Sequence, residues 1–222
     1  MPRFMPSIMK SPPPKPRLRG VSHQFAAVAA LVGGIMLVLS APTAAANRAS
    51  AIYSAALVLL FTTSAVYHSP TWQPTVRAWL RRLDHASIFV LIAATYTPIC
   101  MLALRTTAGP SLLLLIWGGA ALGVLQSLIW VRAPKPFSAL VYLMLGWGVL
   151  PYLPQLMTTL QTPELVLLAI GGLIYSSGAV IYAMHWPNPL PKIFGYHEIF
   201  HLCVICASIC HFAAIYRLVQ RG

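Results

Sequence analysis

Residues 110–131 read PSLLLLIWGGAALGVLQSLIWV, a stretch without a single charged side chain. About 20 apolar residues are enough to cross the hydrocarbon core of a bilayer as one helix. The whole chain of 222 residues is 58% hydrophobic and only 8% charged. Soluble domains carry about 25% charged residues, so this composition excludes a soluble globular protein, and its hydrophobicity excludes a disordered chain. The sequence predicts an integral membrane protein.

Six further apolar segments of similar length lie on either side of this stretch, and turns containing proline separate most of them. They are residues 22–41, 49–68, 85–104, 137–157, 164–184 and 197–216. We therefore predict an all-α fold, a bundle of seven transmembrane helices formed by residues 21–222. Residues 1–20 are basic and rich in proline, which predicts a disordered cytoplasmic tail.

The first apolar segment has a second interpretation, because a basic leader followed by Ala44-Ala45-Ala46 resembles a signal peptide with its cleavage site. The apolar run is longer than the core of a signal peptide, and the leader is also unusually long. A retained first helix is the favoured interpretation.

The distribution of basic residues predicts the orientation of the bundle. If seven helices alternate in direction, eleven Lys and Arg residues fall on the side of the N-terminus and four on the other. The positive-inside rule then places the N-terminus in the cytoplasm and the C-terminus outside. The net charge of +12 also raises the possibility of nucleic-acid binding. We exclude it, because the basic residues occur as short groups that flank apolar segments.

The connection 69–83 combines basic and apolar residues at helical spacing. Val76, Trp79, Leu80 and Leu83 fall on one face of a helix, and the arginines fall on the other. This pattern is typical of a short amphipathic helix that lies on the cytoplasmic membrane surface. A basic loop is the alternative.

Ionisable side chains within membrane spans are costly and point to function. In this chain they form three groups, all at the predicted cytoplasmic ends of spans: Ser64 with His68, Asp84 with His85, and His197 with Glu198 and His201. Residues four apart lie on one face of a helix, so His197 and His201 can bind one ion. His68 from a neighbouring helix can supply a third ligand. Three histidines and a water are the ligand set of a catalytic zinc site, and we predict bound Zn²⁺.

The segment His197–His201 also fits the H-E-x-x-H pattern, in which the glutamate is the general base of a metalloprotease. Such enzymes need a third ligand downstream, but no acidic residue follows Glu198. His211 is ten residues beyond His201 and therefore about 15 Å further along the helix. The metalloprotease interpretation is the weaker one.

Three motifs carry a resemblance to a known family: Ser64-Ala-Val-Tyr-His68; Leu83-Asp84-His85-Ala-Ser-Ile with Ala94-Thr95-Tyr96-Thr97-Pro98; and Phe194-Gly195-Tyr196-His197-Glu198-Ile199-Phe200-His201. In this order they resemble the hemolysin III family, the bacterial branch of the superfamily (PAQR) that contains the adiponectin and progestin receptors. The resemblance implies seven helices with the N-terminus inside, and zinc held by His68, His197 and His201. It also implies that Asp84 holds the water that zinc activates, with Ser64 beside it. Relatives in the wider superfamily, including alkaline ceramidases, hydrolyse lipid amides.

The sequence thus favours a zinc-dependent hydrolase in the inner membrane of a bacterium, acting on the amide or ester of a membrane lipid. Asp84 would be the general base, and Ser64 would bind Asp84 or the developing oxyanion. The alternatives are a receptor-like or membrane-homeostasis protein with structural zinc, and a cytolytic protein.

Simpler interpretations of single residues stay open. Asp84 could pair only with Arg81 or Arg82, and Glu198 could be an interfacial anchor, a hydrogen-bond partner or a support for the metal site. His23 is interpreted as a solvated residue at the membrane surface. The cysteines of the last span are interpreted as packing residues.

Reporter fusions test the predicted orientation. Green fluorescent protein at the N-terminus should fluoresce in the cytoplasm, and alkaline phosphatase fused after residue 222 should be active outside the membrane. Reporters that place both termini on one side would contradict the prediction.

Overall fold

The computed structural model describes residues 15–105 and 108–221, and most of this part of the chain is helical. Its α-helices are α1 Val21–Leu39, α2 Ala44–His68, α3 Pro74–Pro98, α4 Ala108–Ile129, α5 Lys135–Gly146, α6 Leu153–Thr159, α7 Thr162–Met184 and α8 Tyr196–Arg221. A π-helical turn, Ile99–Ala103, extends α3. The described residues contain no β-strand. The first fourteen residues of the predicted tail lie outside the described part.

Seven helical segments are long and apolar enough to cross a membrane, with α5 and α6 together forming the fifth, Lys135–Thr159. The predicted all-α bundle of seven spans is therefore confirmed. The second helix begins at Ala44, before the predicted start at residue 49. Thr43 causes this earlier start, because its side chain accepts a hydrogen bond from the backbone N–H of Ala46 and caps the helix.

Polar residues cluster at one end of the bundle, which we call the site end. Here α1, α3, α5 and α8 begin, and α2, α4 and α7 end. Contacts between α1 and α8 bring the first and last helices together. The first helix therefore packs against both the second and the last.

The start of α3 differs from the expectation for residues 69–83. The helix begins at Pro74, in the first helical position that suits proline, and continues without a break to Pro98. The predicted helical conformation is therefore confirmed from Pro74 onward, where it forms the first turns of the third span rather than a separate segment, and the alternative of a basic loop is wrong. Residues 75–97 contain no glycine or proline, so the helix continues from its basic first turns into the apolar span.

The fifth span is broken between α5 and α6. Gly146, Gly148, Pro151 and Pro154 lie at the break, and glycine and proline both disfavour a continuous helix. A broken helix leaves backbone carbonyls without partners, which is costly inside a membrane. The hydroxyl of Tyr96 on α3 donates to the carbonyl of Gly146 and satisfies it.

The third span is the centre of the bundle, since 72% of its apolar stretch is buried, against 11% in the fifth span. Phe89 of α3 is fully buried, and its ring packs against Tyr142 at a centroid distance of 4.7 Å. The same ring lies directly against Gly123 of α4, where any Cβ would overlap it. Close approach of α3 and α4 therefore requires glycine at this position.

Two glycines of α4 form a matched pair for testing this contact. Gly123→Ala should destabilise the bundle by about 1–3 kcal/mol, because the new Cβ would overlap the fully buried ring of Phe89. Gly118→Ala should be neutral or slightly stabilising, since no atom lies within 4 Å of the new Cβ. Thermal unfolding of the purified variants in detergent measures both effects. Equal melting temperatures would refute the role of Gly123.

Candidate metal centre

Three histidines from two helices meet at the site end. His68 is the last residue of α2, and His197 and His201 lie in the first two turns of α8. One nitrogen from each ring lies within 4.8 Å of the other two. His68 and His201 are buried and His197 is half-buried. The three side chains that the sequence selects for the metal therefore do converge, and together they could hold a metal ion.

The spacing of the rings fits a shared ion. The Nε2 atoms of His68 and His197 are 3.2 Å apart. Two nitrogens bound to one tetrahedral zinc, each at about 2.0–2.1 Å, lie about 3.3 Å from each other. The Nδ1 atom of His201 is buried and has no hydrogen-bond partner in the described chain. Neutral imidazoles so placed form a donor set suited to zinc and related transition metals.

Asp84 and Ser64 lie beside the histidines. Asp84 is in the third turn of α3, and its Oδ2 atom is 3.7 Å from Nε2 of His68. Ser64 is buried one turn before His68 on α2 and lines the same cavity as Asp84. All five predicted site residues are thus neighbours.

The simpler interpretation of Asp84, an ion pair with Arg81 or Arg82, is not observed in the described chain. Arg82 donates instead to the carbonyl of Leu128 at 2.8 Å and lies over the ring of Trp79. The side chain that faces the Asp84 carboxylate is the imidazole of His68. Asp84 therefore faces the histidines rather than the arginines that precede it.

His23 is a site residue that the sequence analysis missed. The expectation of a solvated residue is wrong, because His23 is only 2% exposed. Its ring stacks on His201 with centroids 3.9 Å apart and planes at 9°. Its Nε2 atom lies 3.4 Å from the carbonyl oxygen of His201. A histidine in the first turn of an apolar helix gives no sequence signal for this role, which depends on the packing of α1 against α8.

Glu198 fixes the start of the helix that carries two of the histidines. Its side chain is buried, accepts a hydrogen bond from the backbone N–H of Gly195 at 2.7 Å, and pairs with Arg19. This is how a glutamate in the third position caps a helix N-terminus. Since both carboxylate oxygens have these partners, Glu198 is not placed as the base of an H-E-x-x-H protease.

Residues 15–20, the last part of the predicted tail, lie across the site end; we call them the clamp segment. The backbone N–H groups of Arg17 and Leu18 donate to the carbonyls of Lys192 and Ile193. Gly20 has φ of +81°, and a Cβ there would lie 2.7 Å from Cβ of His68. Only glycine suits this conformation at such close approach. The clamp segment thus joins the start of α1 to the end of α2 and the start of α8.

A cavity of about 720 Å³ opens beside the histidines. His68, His197, His201 and Asp84 form part of its wall. Five cationic side chains also line it: Lys15, Arg19, Arg77, Arg81 and Lys135. Its size falls in the range of ligand-binding cavities, about 300–1,000 Å³.

Comparison with known proteins shows which family the chain belongs to. The profile of the family described as "Haemolysin-III related" matches residues 13–212. The chain belongs to this family. It is 32% identical to Hemolysin-3 of Bacillus cereus over 198 residues, which cover 88% of this chain and 87% of that protein. The identity to the Hemolysin-3 homolog of Bacillus subtilis (strain 168) is 33% over 199 residues, 84% of this chain and 90% of the homolog.

A human protein is also related to this member of the hemolysin III family. Monocyte to macrophage differentiation factor of Homo sapiens is 29% identical over 207 residues, which cover 90% of this chain and 83% of the human protein. The family match over residues 13–212 reaches into all seven spans, and it confirms the family resemblance of the three sequence motifs.

Metal analysis of purified variants tests the centre. His201→Ala should lower the bound metal at least about tenfold, because it leaves only two ligands on different helices. His185→Asn is the control, since His185 lies at the same end, is exposed, and has a positive φ of 58° that asparagine tolerates. This control should keep the wild-type metal content in mass spectrometry. Equal metal content in both variants would show that the histidine cluster holds no ion.

Proposed function

We propose that this member of the hemolysin III family is a zinc-dependent hydrolase of a membrane lipid, acting on an amide or ester bond. The observation that carries the proposal is the convergence of three imidazoles within 4.8 Å, with a carboxylate beside them, at the wall of a cavity. A histidine-only set that leaves a coordination position open is typical of catalytic zinc. Zinc bound there would supply Lewis acidity, which lowers the pKa of water to about 7.

The residues of the chain have separable roles in this reaction. His68, His197 and His201 hold the ion, and His23 keeps the ring of His201 in place by stacking. Asp84 accepts a proton at Oδ2 from the attacking water and returns it to the leaving amine or alcohol. The water oxygen bonds to the carbonyl carbon as the C–N or C–O bond breaks. Ser64 donates a hydrogen bond that holds the Asp84 carboxylate.

An amphiphilic substrate is supported by the mixed lining of the cavity. Apolar side chains, including Leu60, Ile88 and Val204, lie in the same wall as the charged residues. The cavity is at the end of the spans, where the acyl chains of a lipid meet its polar head group. We place this end at the cytoplasmic face of a bacterial inner membrane, because eleven of the fifteen basic residues fall on that side.

Structural zinc in a receptor-like protein is the second candidate, and one observation favours it. Oδ2 of Asp84 is 3.7 Å from Nε2 of His68, so a small rotation could make Asp84 a fourth ligand. A closed site with four protein ligands is structural rather than catalytic.

The Asp84→Asn variant separates these two functions. It preserves size and hydrogen bonding but removes the base, so zinc should stay bound while hydrolysis falls about 10²–10⁴-fold. His201→Ala is the comparison, because it should lose both zinc and hydrolysis. Zinc content by mass spectrometry and release of fatty acid from membrane lipids are the two measurements. Loss of zinc from Asp84→Asn would identify Asp84 as a ligand, and full activity would exclude it as the base.

A further inference from the structure

All carboxylate side chains of this protein already have a partner. The sequence contains only three Asp and Glu residues. Asp84 faces His68, Glu198 pairs with Arg19, and Glu164 pairs with Arg221 at the opposite end of the bundle. No acidic side chain is left to neutralise the other cations that line the cavity.

Two of these cations have protein oxygens or aromatic rings as neighbours. Nζ of Lys15 donates to the carbonyl oxygens of Ser69 and Pro70. Nζ of Lys135 donates to the hydroxyl of Tyr196 at 2.8 Å and lies 4.9 Å from the ring centres of Tyr182 and Tyr196. These contacts orient both amino groups without cancelling their charge.

Arg77 and Arg81 differ from the other cations of the cavity. Neither guanidinium has a hydrogen bond, an ion pair or an aromatic ring as partner in residues 15–105 and 108–221. They lie one turn apart on α3, and Asp84 follows in the next turn, so all three line the same cavity. Arg82, by contrast, donates to the carbonyl of Leu128 and lies over the ring of Trp79, and neither of these residues lines the cavity. The pKa of Lys15 is lowered, first by its partial burial and then by the charges of Arg19 and Arg77.

We propose that Arg77 and Arg81 bind the phosphate of an anionic membrane lipid and thereby place its acyl linkage at the histidines. Two guanidinium groups one turn apart match the several oxygens of a phosphate, since arginine binds such groups through paired charge-assisted hydrogen bonds. The binding of this lipid does not depend on the proposed hydrolysis. Its role as the substrate does rest on that proposal.

The distances along α3 fit this placement. Arg81 precedes Asp84 by three residues and Arg77 by seven, which correspond to about 4.5 and 10.5 Å of helix rise. The phosphorus of a glycerophospholipid is separated by five covalent bonds from the nearer acyl carbonyl carbon, which is roughly 6 Å. A phosphate between the two arginines therefore leaves the acyl carbonyl within reach of Asp84 and the histidines.

Binding of ether-linked lipids to the full-length protein in detergent tests the proposal without turnover. The probes are di-O-alkyl phosphatidylglycerol and the matching di-O-alkyl glycerol, which lacks the phosphate. In Arg77→Gln/Arg81→Gln, affinity for the phosphate lipid should fall at least about tenfold, and affinity for the neutral lipid should change less than about twofold. Arg132→Gln is the control, because Arg132 is exposed at the same end but does not line the cavity. It should bind both probes as the wild type does.

Several outcomes would overturn the proposal: unchanged affinity of the double variant, an equal loss for both lipids, or an equal loss in Arg132→Gln. Free glycerol 3-phosphate that binds as tightly as the lipid would show that the site recognises a soluble phosphate instead. If the double variant does not fold, the single variant of the exposed Arg77, Arg77→Gln, should still lose about threefold.

Activity measurements distinguish failure of this proposal from failure of the proposed hydrolase. If the double variant selectively loses binding of the phosphate lipid but the wild type hydrolyses no lipid, the phosphate-binding site is supported and the hydrolase is excluded. If the wild type hydrolyses ester lipids equally well with and without the phosphate, the hydrolase is supported. The phosphate is then excluded as the group that the enzyme recognises in its substrate.

Discussion

Polar side chains that are buried in a membrane protein must find partners within the protein, because the surrounding lipid offers none. The site end of this bundle is organised by that constraint. His68 and Asp84 face each other across α2 and α3, and the imidazoles of α8 complete the group. The positions of α2, α3 and α8 relative to one another are therefore coupled to a few polar atoms, while the apolar spans around them pack with little directional preference.

The clamp segment extends the same constraint to the start of the chain. Glu198 would be a buried, unpaired charge if Arg19 did not reach it. The same glutamate caps α8 through Gly195, so the pairing also holds the turn that carries His197. Gly20 allows the chain to pass close to His68 on its way into α1, and His23 then stacks on His201. The first and last helices are thus connected through polar contacts at the histidine cluster rather than through apolar packing alone.

The sequence predicts much of this structure because its two strongest signals are local. Uncharged segments of about 20 residues identify seven spans, and the spacing of four residues between His197 and His201 identifies two ligands on one helix face. The features it does not predict depend on contacts between distant segments. His23 gives no local signal, and Glu198 acquires its role from Arg19, which is 179 residues away. The sequence predicts the helical start of α3 but not its continuity with the third span, because the amphipathic pattern is the same whether the helix continues into a span or ends before it.

The distribution of the three histidines along the chain also determines when during biosynthesis the cluster can form. His68 and His197 are 129 residues apart, which a ribosome synthesises in roughly 6–26 s. For most of that interval the nascent chain carries His68 and Asp84 without the imidazoles of α8. A translation product that ends before α8 contains six spans but only one of the three histidines. Completion of the cluster therefore coincides with the addition of the last helix, and it distinguishes a molecule that contains α8 from a truncated one.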